Sequence, residues 1–117
     1  MPIELTATQE ALLRLPEPDV FTQRIANEIR RDMGQDLSHV SDARLLQSVR
    51  DSYDFATNEL HITRIPTLVR WVRVDVVADG ALHREPAIVL KVKAAKDPNL
   101  AAEDLLSIFI AQARWSN

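Results

Sequence analysis

The chain has 117 residues, no cysteine, 46% hydrophobic residues and a formal charge of −3. That apolar content excludes a disordered chain, the missing cysteines exclude a disulfide framework and thiol chemistry, and the mild acidity offers no general attraction to nucleic acid or anionic membranes. The length fits one domain, residues 1–117, able to bury a real core, and only two glycines argue against a turn-rich all-β fold. The N-terminal residues MPIELTATQE lack a charged-then-apolar signal pattern, and Arg or Asp interrupts each long apolar run. A cytoplasmic protein is the expectation.

Residues 6–15 read as a short helix, with Thr6 and Gln9 as a capping box and Leu12, Leu13 and Leu15 on its apolar side; Pro16-Glu17-Pro18 stops it. Asp19 then caps a helix over Val20–Met33, where Phe21, Ile25, Ile29 and Met33 recur every four residues, and Gly34 ends it. After a polar connection over 34–41, Ser41 caps a long helix over Asp42–Leu60 with a stripe of Leu45, Val49, Tyr53 or Ser52, Ala56 and Leu60.

The segment Arg64–Ala78 is the longest strongly apolar run and has two readings. As a helix it places Ile65, Leu68, Val69, Val72 and Val76 on one stripe, with Thr63 as cap, Pro66 in the first turn and Gly80 just past the end. As a strand, Val72–Val76 alternates, and Asp79-Gly80 would turn it toward a second run at Ile88–Val92, giving an α+β fold with a hairpin at about 68–77 and 87–93. The helix is favoured, because the hairpin loop would be long and would contain Pro86. A loop over Ala81–Glu85 leads to a shorter helix, Pro86–Ala95, with Ile88, Val89 and Val92 buried. Asp97-Pro98 starts a last helix, Pro98–Trp115, with Ala101, Leu105, Ile108, Phe109 and Gln112 along one side. The fold expected is all-α, a compact bundle of five to six helices.

No reaction is written in these residues. His39, His61 and His83 are far apart, with no zinc-helix spacing and no cysteine to assist. The acids Asp51 and Asp54, or Glu103 and Asp104, sit among polar residues as on a solvated face, and no Ser/His/Asp group can be placed together. Catalytic, cofactor and metal residues are therefore expected to be absent. Arg64, Arg70 and Arg73 lie on one helix and either meet an acidic partner or pair with nearby acids. Trp71 falls beside the main stripe, so it either completes the core or joins Arg70 and Arg73 as a contact surface. Trp115 is either a final staple for the bundle or an exposed anchor. Arg70, Trp71, Arg73 and Trp115 are the candidate partner-binding residues.

The pattern Ile3…Gln9…Leu12…Phe21…Arg24-Ile25…Ile29-Arg30 resembles the opening of a family of small bacterial helical proteins encoded beside type VI secretion effectors, PAAR or VgrG spike proteins and their adaptors. The segment ITRIPTLVRWV, ending in Arg70-Trp71-Val72, is similar to the family's turn-then-helix segment. So are the stretch Asp79–Ile88 and the start Asp97-Pro98…Ala102-Glu103…Leu105, while Ile62 and Leu82 stand where the family has Gly and Phe. The resemblance implies a co-chaperone for effector loading that binds an adaptor, with no catalytic residues to carry over, and it supports helices at Arg64–Ala78 and Pro86–Ala95. The alternative is an immunity protein neutralising a cognate toxin. The expected partner is another protein of the locus (adaptor, effector or toxin), and an exposed apolar stripe would point to a homodimer.

Overall fold

Phe21, Ile25 and Ile29 are all buried in the computed structural model, which describes residues 17–115, with side chains described through Gln112. They lie on α1 (Pro18–Met33), which is followed by α2 (Asp42–Asp54), a π-helical turn (Phe55–Glu59), α3 (Ile65–Val77), the single turn α4 (Ala81–Arg84), α5 (Pro86–Ala94) and α6 (Pro98–Trp115). The protein is an all-α bundle with no strand among the described residues. The hairpin alternative does not form: both of its arms are helical. The helix expected over 6–15 lies outside the described residues.

The local signals act largely as expected. Ser41 Oγ accepts from Arg44 N at 3.2 Å, a side-chain cap for α2. Helix α1 begins earlier than expected: Pro18 takes the first position, which needs no N–H donor, so Asp19 sits inside the first turn and does not cap it. The connection after α1 is held by Arg30, whose guanidinium donates to the carbonyls of Leu37 (2.9 Å) and Val40 (2.6 Å). The stripe of α2 continues through the π turn, so Leu45, Val49, Ser52, Tyr53, Ala56 and Leu60 are all buried. The turn closes with Ile62 N donating to Ala56 O at 3.0 Å, and His61 takes a left-handed conformation, φ 57°.

Helix α3 is the central rod, packed against α1, α2, the π turn, α4 and α6. Thr63 does not cap it. Asn99 of α6 accepts from the amides of both Thr63 and Arg64 at 2.9 Å, and so supplies the cap from another helix. The inward face is also rotated from the expected stripe. Thr67, Leu68, Trp71, Val72 and Asp75 are buried, whereas Ile65 is exposed and Val69 and Val76 are half-buried. Two polar residues take inward positions because each has a dedicated partner, Glu103 for Thr67 and Ser52 with His83 for Asp75.

The expected loop over Ala81–Glu85 is instead the turn α4, whose Leu82 is fully buried. Only Val92 of α5 is buried, with Ile88 and Val89 half-buried against the core. On α6 the buried residues are Ala102 and Leu106, one position on from the expected Ala101 and Leu105. Ile108, expected inside, is exposed.

Candidate functional site

The end of α3 is built around one carboxylate. Helix α3 closes with Asp79 N on Val76 O (3.1 Å) and Gly80 N on Asp75 O (2.7 Å), the paired bonds of a Schellman motif. Asp79 and Gly80 are both left-handed, φ 57° and 81°. This reversal brings α4 back over the last turn of α3. Asp75 Oδ1 then accepts from the amides of Leu82 (3.0 Å) and His83 (3.2 Å), while Oδ2 accepts from Ser52 Oγ (2.7 Å) and faces His83 Nδ1 (2.7 Å). A carboxylate only accepts, so Nδ1 carries the proton in this contact. Four donors saturate a side chain with no exposed surface, and one residue ties α2, α3 and α4 together.

The His83 ring is confined on two sides. Phe55 lies across it with ring centroids 5.7 Å apart. Gly80 lies close enough that a Cβ there would stand 2.8 Å from His83 Cε1, so glycine is needed for the approach as well as for its φ. The imidazole remains half-buried and borders a cavity of about 170 Å³ with Ser48, Asp51, Asp79 and Arg84. Arg84 turns back to the carbonyl oxygens of Asp79 and Gly80. A neighbouring cavity of about 360 Å³ shares Ser48, Val76 and Asp79 and is otherwise bordered by Val77, the 34–41 connection and the start of α2, His39 and Arg44 included.

Sequence reasoning did not place a serine, a histidine and an aspartate together, and the fold does. Their order decides what they can do. In a nucleophilic triad the imidazole stands between carboxylate and hydroxyl, so that it takes the hydroxyl proton. Here the carboxylate stands between Ser52 and His83, and Ser52 is buried, so the group is a clasp of the fold and not a proton relay. The sequence signal available was a lone acid in the run Val72–Val77, four residues from Trp71. Among the described residues no group of three histidine or acidic side chains is arranged to hold a metal ion.

The residues singled out for partner binding separate. Trp71 has no exposed surface, so it belongs to the core and not to a contact surface; its indole N–H has no acceptor. Arg70 is exposed and pairs with Glu103 of α6. Arg73 donates to Asp32 at 2.8 Å, tying α3 to the end of α1. Both arginines therefore join helices while keeping exposed surface. Asp32 is held below the usual carboxyl range, first by the hydrogen bond from Arg31 and then by Arg73, and Arg31 is raised in turn. Burial pushes the Tyr53 phenol up, helped by the neighbouring Asp54 charge. Trp115 ends α6, with its side chain outside the described set. No protein-family model, curated protein or solved structure matches the chain.

Proposed function

We propose that the chain is a protein-binding accessory factor without catalysis of its own, and that it captures its partner through the α5–α6 hairpin. The observation that carries this is the exposure of Leu90 (66%) on α5 and Leu100 (61%) on α6, two large aliphatic side chains on consecutive helices. Lys91 and Lys93 on α5 and Lys96 in the connection follow Leu90 along the chain, α5 itself carries no acid, and Lys93 reaches Glu59 at 3.5 Å. Such a surface suits a partner with an apolar patch rimmed by acidic residues. The Ser52–Asp75–His83 clasp is consistent with this reading, since its hydrogen bonds are directed into the fold.

The family resemblance adds the setting: an adaptor or effector of a type VI secretion locus as partner, with loading as the purpose. The test is co-purification with each product of the adjacent genes, using the wild type, Leu90→Asp and Leu100→Asp. One product should be retained by the wild type and lost with either variant. Failure of every neighbour to bind, or binding unchanged by both variants, overturns the proposal. Protection of cells from a neighbouring toxin would favour the immunity alternative.

A further inference from the structure

The clasp leaves one nitrogen of His83 unused. With Nδ1 carrying the proton to Asp75, Nε2 of the neutral ring keeps its lone pair and can only accept. Among the described residues no donor reaches Nε2, and the half-buried ring borders the cavity of about 170 Å³. The same border holds the exposed carboxylates of Asp51 and Asp79. Asp51 accepts only from the neutral amide of Gln47, at 2.8 Å. The one cation on the border, Arg84, is turned away to the carbonyl oxygens of Asp79 and Gly80, and it comes only within 4.0 Å of the Asp79 carboxylate. Two acids alone would describe any solvated face. What distinguishes this place is the imidazole, confined by Phe55 and Gly80 and held in one tautomer by a buried carboxylate.

We propose that this cavity and the larger one beside it bind a small primary alkylammonium. An ammonium group has three donors, and the border offers three acceptors that lack a cationic donor: His83 Nε2, Asp51 and Asp79. The alkyl chain runs along Val76, which borders both cavities, toward Val77 and Leu45 in the cavity of about 360 Å³. Asp36 and Arg44 border that second cavity with opposite charges, so the negative end is the one at His83. A polar head set against a few convergent acceptors, with an aliphatic wall beyond it, is the ordinary plan of a small-molecule site. Asp75 then has a second task as a positioning residue, since it fixes which nitrogen of His83 accepts. The inference does not depend on the accessory role, which rests on Leu90 and Leu100.

The test follows the full chain by NMR with n-pentylamine as the probe. The amine should shift the amides of Val76, Gly80, Leu82 and His83 and saturate in the millimolar range. It should also move the nitrogen-15 signal of His83 Nε2 from that of a free lone pair toward that of a hydrogen-bonded one. Pentan-1-ol, of the same length without the charge, should bind roughly fivefold more weakly, and pentanoate should leave the signals in place. Asp51→Asn and Asp79→Asn should each weaken amine binding about two- to fivefold. Both positions are exposed, and asparagine suits the left-handed backbone at 79, so the melting curves should not change. Absence of saturable shifts up to about 50 mM amine overturns the proposal, as does equal binding of the alcohol or unaltered affinity in both variants. Saturable amide shifts with an unmoved Nε2 signal overturn it too, because the imidazole would not be the acceptor.

Discussion

The α3–α4 junction and the end of α6 invert the usual distribution of polar and apolar groups. At the junction a carboxylate lies wholly inside the protein, and its oxygens are matched by two amides, a hydroxyl and an imidazole N–H. At the end of α6, Ile108 and Ala111 face outward beside Ser107 and Gln112, on a stretch with a single charge over eleven residues. The first arrangement is complete in itself, because a buried acid is tolerable only when each of its acceptor positions is used. The second is incomplete, because apolar surface gains nothing from water. The difference separates residues that hold the fold from residues free to meet another molecule. It also places Trp71, for which spacing left core and contact surface both open, in the first group, and Ile108, expected inside, in the second.

Breaking the junction should have the largest effect. Asp75→Ala leaves a hydroxyl, two amides and an imidazole N–H without an acceptor, and should lower unfolding stability by about 3–5 kcal/mol in urea titration. Asp75→Asn keeps one acceptor oxygen and should cost less, about 1–3 kcal/mol. A loss below about 1 kcal/mol for the alanine variant would show that the clasp is not structural. The next contrast lies within α6. Leu106→Ala should cost about 2–5 kcal/mol by emptying a fully buried site, whereas Ile108→Ala should stay within about 0.5 kcal/mol in the monomer. Equal effects from the two leucine and isoleucine truncations would erase the contrast.

The helices were legible because their stripes and prolines agree, even where the expected caps Asp19 and Thr63 do not act. Phe21, Ile25 and Ile29 recur every four residues, Ser41 caps α2, and Pro86 and Pro98 each open a helix. Which face of α3 turns inward was not legible. Thr67 and Asp75 count as polar in any periodicity, yet they are inside because Glu103 and Ser52, 36 and 23 residues away, complete their hydrogen bonds. Helix α6 failed for the opposite reason. Nearly every position in its second half is apolar, so the pattern cannot choose between Leu105 and Leu106, and one residue turns the face by about 100°. The clasp was hidden because the left-handed pair Asp79 and Gly80 folds His83 back onto Asp75, eight residues earlier.

Smaller changes sharpen the comparison. Asn99→Ala removes the acceptor for two amides at the start of α3 and should cost about 1–2 kcal/mol; Asn99→Asp, which retains it, should cost less. His61 offers a gain. It is exposed and left-handed, a conformation that penalises a side chain, so His61→Gly should raise stability by about 0.5–1 kcal/mol while His61→Val lowers it. A glycine variant that melts lower would mean that the imidazole has a structural role at the end of the π turn.

The smallest effect should appear in acid. The Asp32 carboxyl is held below its ordinary value of 3.8, and the hydrogen bond from Arg31 is the leading cause, ahead of Arg73. A folded value below the unfolded one means that the charged form favours the fold. Its contribution is therefore fully present above 3.8 and is lost as pH falls through the depressed folded value. Asp32→Asn removes this titration and the partner of Arg73, so the wild type should melt slightly higher than the variant at neutral pH, with the two curves converging in strong acid. The exposed position keeps the difference small and sensitive to salt. A gap that persists unchanged into strong acid would mean that the carboxylate charge is not what joins α1 to α3 at this point, and that Arg73 holds its place by packing alone.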